Sequence, residues 1–370
     1  MPKIVVSVTN DLVTDQRVRK VCDTLFEQGY DITLIGRKLP HSLPLDRSYQ
    51  TKRMKLLFTK GFWFYAEFNI RLFCTLFFTK KDILLANDLD TLLPNFIIAR
   101  IFRKKLVYDS HELFTEVPEL IHRPKVQKIW LRIEQYIFPK LKNVITVNQV
   151  IAGIYTEKYQ VPVAVIRNIS NKLNELSPNK ELAQSLKKGR KMLILQGSGI
   201  NKDRGAEEAV AMMQYLNHCI LVIIGSGDVF DELKHLVAKL QLEKKVKLLG
   251  RLPYNELLEY TKIADLGLSL DKNTNLNYEY SLPNKVFDYI QCQVPLMVSN
   301  RRVVAQLVRD NQIGLVFDDF NPENMAKQVQ EIFENKEQYA LWKKNLIQAA
   351  QKYNWEQESM ALKQIYSNLQ

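Results

Sequence analysis

The sequence has little of what marks several common classes of protein. Its four cysteines lie far apart without paired spacing, so neither a zinc motif nor a disulfide framework is predicted. It has no uncharged apolar run of about 18 residues, and residues 1–8 are too short and too strand-like for a signal peptide. These absences predict a protein of the reducing cytoplasm.

Another missing motif concerns cofactors. The first strand-like run, residues 4–8, is β-branched and apolar, but no Gly-x-Gly-x-x-Gly follows it. That glycine pattern lets the backbone approach the pyrophosphate of a dinucleotide. Its absence argues against a nicotinamide or flavin cofactor.

The chain does have the composition of a soluble globular protein with two or three domains: 370 residues, 46% hydrophobic and 25% charged. Its formal net charge of +12 is unevenly distributed. Residues 1–168 hold 26 Lys and Arg against 16 Asp and Glu, whereas residues 169–370 hold 26 against 24. The positive excess predicts an anionic partner for the first half: nucleic acid, a phosphorylated substrate or acidic lipid.

In the first half of the chain, helical periodicity alternates with strand-like runs at residues 4–8, 31–35, 82–86, 105–108 and 143–147. The strands are nearly all apolar, which indicates a parallel sheet covered on both faces. Ligands of such sheets bind at the carboxyl ends of the strands. This rule selects Thr9, Asn10, Asp11, Asn87, Asp88, residues 109–112 and Asn148.

The second half repeats this organisation. Residues 170–188 are polar and rich in turn formers, and they are predicted as a linker. The alternation then resumes, with strand-like runs at residues 191–195, 220–225, 246–249, 266–270, 296–298 and 314–317. We therefore predict a second doubly wound sheet.

The most informative stretch is residues 278–300. Its turn consists of Ser281, Leu282, Pro283 and Asn284. A turn that opens a helix presents unpaired backbone N–H groups and the positive end of the helix dipole to a phosphate. Lys285 adds a cation, and Asp288, one turn later, can accept hydrogen bonds from ribose hydroxyls. The stretch predicts a nucleotide site; the alternative is a plain N-capping turn, with Asp288 on the helix surface.

A loop rich in glycine and basic residues, 196–205, joins the first strand of the second half to its helix. Glycines such as Gly199 allow close approach of the backbone to a ligand. Lys202 and Arg204 can neutralise a diphosphate. The loop therefore adds to the predicted nucleotide site.

His111 is one of only five histidines, and it follows a strand-like run between two carboxylates, Asp109 and Glu112. An imidazole beside a carboxylate can carry a proton or donate a hydrogen bond to a reacting group. The alternative is a histidine that caps the following helix.

Residues 56–78, LLFTKGFWFYAEFNIRLFCTLFF, form the most aromatic segment. As a helix, the segment has a thin polar stripe of Glu67, Arg71 and Thr75. Basic residues flank it: Lys52, Arg53, Lys55, Lys60, Lys80 and Lys81. Two interpretations stay open, a helix lying in the headgroup region of an anionic membrane and a core helix that covers the sheet.

Residues 278–300 resemble the donor-binding signature of the GT-B glycosyltransferases, especially the retaining glycosyltransferase family four. In that family two glutamates separated by seven residues flank a phosphate-binding turn, and a small-x-Pro sequence then leads into a strand. Counting back from Pro295 places Asp288 on the second glutamate and Tyr280 on the first. The chain departs from the pattern at Tyr280, and Glu279 lies one residue out of place.

The resemblance implies the GT-B fold, two doubly wound Rossmann-like α/β domains that face each other across a cleft. The implied boundaries are 1–168 for an acceptor-side domain, 169–190 for a linker, 191–354 for a nucleotide-sugar-binding domain and 355–370 for a terminal helix crossing back to the first domain. It also implies that no metal and no cofactor is needed. Asp88 and Asp90, which could bind a hard cation, are then better interpreted as a helix N-cap.

Similar enzymes have a basic residue before the last glycine of the loop, matching Arg204, and often an arginine where this chain has Ser198. They commonly carry a histidine near the acceptor and the transferred sugar, matching His111. The implied catalytic set is His111, Arg204 and Lys285. The implied donor-nucleotide set is Gly199, Lys202, Gly225, Arg251, Ser281, Leu282, Pro283, Asn284 and Asp288, and the acceptor-side set is Asn10, Asp88, Asp109 and Glu112.

The implied function is transfer of a hexosyl group from a nucleoside diphosphate sugar to a hydroxyl of a glycolipid or polysaccharide acceptor. The resemblance implies that the transfer retains the anomeric configuration and serves polysaccharide biosynthesis. The expected location is the cytoplasm, on the inner face of the cell membrane, with an anionic membrane surface as partner and no nucleic acid. One alternative is a GT-B sugar-nucleotide epimerase, which needs acid–base carboxylates and no acceptor. The other is a non-catalytic basic scaffold that binds nucleic acid or lipid.

Overall fold

The computed structural model describes residues 1–13, 15–40, 42–173 and 176–369. The chain forms two compact units. The first contains residues 1–168 together with the carboxyl-terminal residues from Glu358 onward, and the second contains Ile169–Gln357. In the described part of the chain, no helix is both long and apolar enough to span a membrane.

The first unit is built on a seven-stranded parallel sheet with the order β3-β2-β1-β4-β5-β6-β7. Its elements are β1 (Lys3–Asp11), α1 (Gln16–Glu27), β2 (Asp31–Lys38), β3 (Gln50–Lys55), α2 (Gly61–Phe78), β4 (Ile83–Asn87), α3 (Leu89–Ile101), β5 (Lys105–Ser110), α4 (Pro118–Ile121), α5 (Pro124–Ile137), β6 (Asn143–Thr146), α6 (Gln149–Tyr159) and β7 (Val163–Val165). The sheet order reverses at β1, which lies between β2 and β4. Polar residues at the carboxyl ends of β1, β4 and β5 therefore lie at a topological switch point.

Helix α2 covers the sheet with one face only. Phe64, Phe68, Leu72 and Leu76 pack in a core cluster with Val5, Ile35 and Leu84 of the strands. The helix begins at Gly61, and the backbone N–H groups of Leu57 and Phe58 ahead of it donate to the Glu67 carboxylate. The buried face makes α2 a core helix, while Phe62 and Trp63 remain exposed.

The last helix, α16 (Trp355–Ser367), supplies most of the carboxyl-terminal part of the first unit. The Tyr30 hydroxyl donates to the Tyr366 carbonyl, and Tyr366 is fully buried. Glu358 accepts from the backbone N–H of Arg167 and pairs with its guanidinium at 2.8 Å. The fold of the first unit therefore includes residues from both ends of the chain.

The second unit has a six-stranded parallel sheet with the order β10-β9-β8-β11-β12-β13. Its elements are α7 (Lys180–Lys187), β8 (Lys191–Gly197), α8 (Ala206–Met212), β9 (Cys219–Gly225), α9 (Phe230–Lys239), β10 (Val246–Leu249), α10 (Tyr254–Ile263), β11 (Leu266–Ser269), α11 (Leu276–Tyr280), α12 (Asn284–Gln291), β12 (Leu296–Ser299), α13 (Arg302–Asn311), β13 (Gly314–Phe317), α14 (Pro322–Glu334) and α15 (Lys336–Lys352). The segment predicted as a linker thus contains helix α7, whose N-cap is the Asn179 side chain.

Helix α12 is buried along almost its whole length. Tyr289 donates to the carbonyls of Ile194 and Leu268, and a Cβ at Gly267 would lie 2.5 Å from the Tyr289 ring. Only glycine therefore permits this approach of the helix to β11. Because the helix lies in the core, it carries Lys285 and Asp288 into the interior.

Candidate functional site

Three predicted site residues, Asp88, Asp109 and His111, form together with Arg17 what we call the histidine cluster. The Asp88 carboxylate accepts from the His111 backbone N–H at 2.8 Å and lies 3.1 Å from Nδ1 of its ring. On the other side of the ring, Nε2 lies 3.5 Å from the Asp109 carboxylate and 3.2 Å from Oδ1 of Asn87. Both ring nitrogens of His111 thus have oxygen partners.

Arg17 fixes the position of Asp109. Its Nε and Nη2 donate to the two carboxylate oxygens at 3.0 and 2.6 Å, and its Nη1 donates to the Ile166 carbonyl at 2.8 Å. Both members of the pair are buried. A planar guanidinium with two parallel hydrogen bonds holds a carboxylate in one orientation.

These contacts determine the charge of the histidine. Burial alone would lower the pKa of His111, but the charges of Asp88 and Asp109 and their hydrogen bonds outweigh burial and raise the pKa well above its usual value. Burial raises the pKa of a carboxyl, yet the charges of Arg17 and His111 bring the pKa of Asp109 down to about 2. The ring is therefore an imidazolium at neutral pH, a hydrogen-bond donor rather than a base.

Asp88 and Asp90 do not have equivalent environments. Asp88 precedes α3 with a positive φ of 59° and makes no capping hydrogen bond with its side chain, which binds His111 instead. Asp90 is buried, accepts from the Thr9 hydroxyl at 2.6 Å and has no hydrogen-bond partner for Oδ1 among the described residues. Burial and the nearby charge of Asp88 raise the pKa of Asp90 to about 8.

Two further predicted acceptor-side residues, Asn10 and Glu112, make contacts of their own. Asn10 is exposed, and its amide donates to Asp15, the N-cap of α1, at 2.9 Å. Glu112 accepts from the Ser110 hydroxyl through its backbone carbonyl at 2.9 Å. The structure therefore brings together Asp88, Asp109 and His111 of the predicted set.

The second group of predicted residues forms the cation cluster: Arg204 and Lys285, with Asp271 beside them. Lys285 is 7% exposed and has no hydrogen-bond or ion-pair partner among the described residues. Burial is the main cause that lowers the pKa of Lys285; the charge of Asp271 acts against it and that of Arg204 acts with it. Because Arg204 is close enough to Lys285 to repel its charge, the two cations are suited to a shared anion.

Aromatic and glycine residues hold Arg204 in place. Its guanidinium lies 4.9 Å from the centre of the Tyr278 ring, and its Nε donates to the Tyr278 hydroxyl at 3.4 Å. Gly205 follows with φ of 73°, and a Cβ there would lie 2.4 Å from the Leu270 side chain. The loop after β8 is thereby pressed against the end of β11, next to Asp271.

The predicted phosphate-binding turn opens α12. Pro283 occupies the N-cap position, and no side chain caps the helix. The Ser281 hydroxyl donates to the Tyr278 carbonyl at 3.1 Å, Leu282 packs against the core, and Asn284 is exposed. The first N–H groups of α12 therefore remain suited to an anion.

Asp288 lies in the interior rather than on the helix surface. Its carboxylate accepts from the Ser170 hydroxyl at 2.5 Å, the Tyr254 hydroxyl at 2.7 Å and the Gln196 amide at 2.9 Å. Three internal donors occupy most of the positions at which a carboxylate accepts hydrogen bonds. A ribose bound here would share Asp288 with these donors, and its assignment as a ribose acceptor stays a prediction.

Three strand-end loops of the second unit are joined by Arg251. Its Nε donates to the Ser226 hydroxyl at 2.5 Å and its Nη2 donates to the Ser198 carbonyl at 3.4 Å. At Gly225, which precedes Ser226, a Cβ would lie 1.9 Å from the Gly197 carbonyl oxygen. The tight packing of these loops at the edge of the sheet requires glycine at that position.

The other loop positions are more open. At Gly199 a Cβ would approach no atom closer than 3.3 Å. Lys202 is exposed, and its backbone N–H donates to Asp228 at 3.0 Å. Glu279, the misplaced family glutamate, pairs with Arg301 at 2.7 Å. Its carboxylate is therefore already held by a neighbouring cation.

Sequence reasoning missed several residues that build these clusters. They are Arg17, Ser170, Asp271, Tyr254 and Tyr278. Arg17 could have been suspected from the sequence, because it is a charged residue directly before the apolar stripe of α1. Ser170 and Tyr254 lie 118 and 34 residues from Asp288, and no local pattern connects them.

Comparison with known proteins bears on both halves of the chain. Residues 177–349 match the family model for Glycosyl transferases group 1, and residues 15–171 match that for Glycosyltransferase Family 4. The chitobiosyldiphosphodolichol beta-mannosyltransferase of Mus musculus is 32% identical over 117 residues, which are 31% of this chain and 23% of the mouse protein. An uncharacterised glycosyltransferase of Methanocaldococcus jannaschii is 20% identical over 323 residues, 82% of this chain and 80% of that protein.

Solved structures are similar over the full length. Sucrose-phosphate synthase from Thermosynechococcus elongatus superposes with a TM-score of 0.83 at 16% identity, covering 100% of this chain and 99% of that one. Anabaena HepE, in complex with UDP and glucose, has a TM-score of 0.77 at 15% identity, covering 99% and 100%. At such identities the likeness establishes the fold.

Proposed function

We propose that this chain, which belongs to the glycosyl transferases group 1 family and has the GT-B fold, transfers a hexosyl group from a nucleoside diphosphate sugar to an acceptor hydroxyl. The observation that carries the proposal is the cation cluster. The cluster holds two cations, Lys285 and Arg204, but a single carboxylate, Asp271, so a further anion is favourable there. A diphosphate at the amino end of α12 provides that anion.

The same cations would act on the reaction itself. As the bond between the anomeric carbon and the diphosphate breaks, negative charge develops on the leaving oxygen, and Arg204 and Lys285 stabilise it. The acceptor oxygen forms the new bond to the anomeric carbon, and its proton passes to the leaving diphosphate. Attack on the face that the leaving group vacates retains the anomeric configuration and requires no enzyme nucleophile.

His111 is assigned to the sugar or the acceptor. Because both nitrogens of the imidazolium already have oxygen partners, His111 supplies positive charge and does not remove the acceptor proton. Since Arg204 and Lys285 supply the charge that a divalent ion would otherwise provide, we propose that the transfer proceeds in the presence of EDTA. No other cofactor enters this scheme.

The relatives indicate which substrates to test first. Anabaena HepE is described with UDP-glucose, and the mouse relative is named for a dolichol-linked acceptor. We therefore propose a uridine diphosphate sugar as donor and a lipid-linked or polysaccharide acceptor, used at the inner face of the cell membrane.

Calorimetry with UDP and GDP tests the donor site, and release of the diphosphate from a panel of nucleotide sugars tests transfer. We expect binding of one diphosphate and release that depends on a glycolipid or oligosaccharide acceptor. Failure of both nucleotides to bind would refute the donor site. Interconversion of nucleotide sugars without an acceptor would instead identify an epimerase.

A further inference from the structure

Three adjacent helices, α2, α3 and α5, form one layer of the first unit. Phe77 of α2 contacts Phe102 at the end of α3, and Phe96 of α3 contacts Tyr136 of α5, each edge to face. Tyr65 of α2 also contacts Trp130 of α5. The outward surfaces of these helices, which we call the outer face, are therefore neighbours.

The outer face exposes large apolar side chains that the core does not use. Phe62 is 67% exposed, Trp63 is 63% exposed and Phe78, at the other end of α2, is 85% exposed. Ile70 and Ile101 are also exposed. Single exposed apolar residues are ordinary, but aromatic and aliphatic side chains spread over three neighbouring helices indicate an interaction surface.

The charges on this surface have one sign. All residues of the three helices are described, and their exposed charged side chains are Arg71, Arg100, Lys125, Lys128 and Arg132. Of the acidic residues of these helices, Asp90 and Glu134 are buried, and the partly exposed Glu67 is neutralised by Arg71 at 2.7 Å. The outer face is therefore both apolar and basic.

Helix α5 shows the combination most clearly. Lys125, Ile129, Arg132 and Tyr136 follow one another at spacings of four, three and four residues, which places them on one side of the helix. All four are exposed. A helix with aliphatic and aromatic side chains between basic ones is typical of surfaces that lie in a lipid headgroup region.

We propose that the outer face of α2, α3 and α5 binds an anionic lipid bilayer. The aromatic side chains enter the interfacial region, and the Lys and Arg side chains contact acidic headgroups. A second copy of the chain fits less well, because pairing this face with itself would bring like charges together. A nucleic acid would use the charges but leave exposed aliphatic residues such as Ile70 and Ile129 in water. The proposal concerns a surface of the first unit and does not depend on the proposed transfer.

Co-sedimentation with vesicles tests the proposal. The full chain should bind vesicles of mixed phosphatidylcholine and phosphatidylglycerol, bind phosphatidylcholine alone weakly, and dissociate as salt screens the charges. The variant K125Q/K128Q/R132Q should lose roughly fivefold in partitioning for each charge removed, about a hundredfold in all. The matched control K239Q/K244Q/K247Q removes the same charge from exposed positions of the second unit and should bind as the wild type does.

A second pair of variants separates lipid from other polyanions. F62S/W63S removes exposed aromatic residues of the outer face, and Y215S removes an exposed aromatic residue of the second unit. We expect loss of vesicle binding in the first and none in the second. Unchanged binding in F62S/W63S would mean a general polyanion site and would overturn the proposal.

Two further results would also overturn the proposal. One is a wild type that stays in solution with anionic vesicles at low salt. The other is a stable dimer, seen by light scattering, that F62S/W63S converts to monomer. The proposed donor site lies in the second unit, so the same variants should bind UDP with unchanged affinity. Calorimetry with UDP therefore distinguishes loss of lipid binding from damage to the donor site.

Discussion

The polar clusters at the carboxyl ends of the two sheets balance their charges differently. In the histidine cluster every ionised group contacts one of opposite sign, in the order Arg17, Asp109, His111 and Asp88. In the cation cluster Lys285 is buried with Arg204 close enough to lower its pKa. The first cluster is complete as the chain folds, whereas the second holds two cations and one carboxylate, Asp271, and we propose that a diphosphate completes it. The difference predicts that substitutions that break ion pairs of the histidine cluster act mainly on folding, whereas substitutions in the cation cluster act mainly on binding.

The largest effect is expected at Arg17. Arg17→Met leaves the buried Asp109 carboxylate beside His111 without its guanidinium, and the loss of one partner of a buried pair costs about 3–5 kcal/mol. Urea unfolding should show that decrease in the free energy of unfolding. Arg19→Met is the control, because Arg19 pairs with Asp23 on the surface of the same helix, where such a loss amounts to about 0.5 kcal/mol. Equal losses in the two variants would contradict the buried-pair assignment.

The next effect should fall on binding alone. Lys285→Met should lower UDP affinity by about 1.5–3 kcal/mol, the contribution of a charge-assisted hydrogen bond. The stability of the unliganded protein should change little, because the substitution removes the cost of burial and the repulsion by Arg204 together with the attraction to Asp271. Calorimetry and urea unfolding measure the two quantities, with the exposed Lys234→Met as control. If the Lys285→Met variant is destabilised but still binds UDP, Lys285 stabilises the fold and does not bind the anion.

The smallest effect is a pH dependence at His111. The folded pKa is raised above the value of about 6.5 expected in the unfolded chain, so the charged ring stabilises the fold fully below that pH. The contribution is lost as the pH rises from about 6.5 towards the folded pKa. The stability difference between wild type and His111→Gln should therefore be greatest below about pH 6 and shrink by about 1 kcal/mol for each pH unit above it. Urea unfolding across this pH range measures the difference, and His235→Gln is the control. A stability difference that grows with pH would show that His111 is not an imidazolium in the folded protein.

Much of the fold could be predicted because it depends on local patterns of apolar and polar residues. The apolar strands and amphipathic helices specified two parallel sheets, and the GT-B prediction is confirmed. Two strands were missed. β3 reads Gln-Thr-Lys-Arg-Met-Lys and lies at the sheet edge, where charged side chains are typical and alternation is weak. β7 has only three residues, fewer than a periodicity can reveal.

The site was less predictable, since its contacts join residues distant in sequence. The spacing around Pro295 identified Lys285 and Asp288 as one site, yet nothing in it showed that α12 is buried or that Ser170 and Tyr254 donate to Asp288. Similarly, the strand-end rule selected Asp109 and His111 without showing that Arg17 holds Asp109. The roles of these residues in donor and acceptor binding stay predictions.

The contribution of the last helix to the first unit has a consequence for biosynthesis. Tyr366 contacts Tyr30 of that unit, and Glu358 contacts Arg167. The core of the first unit is therefore incomplete until the residues from 358 onward have left the ribosome. The second unit, whose residues are continuous in sequence, can finish folding first. A chain truncated after Gln357 should therefore resist protease in the second unit while the first is cleaved. We therefore expect the two units to complete their folding in the order opposite to that of their synthesis.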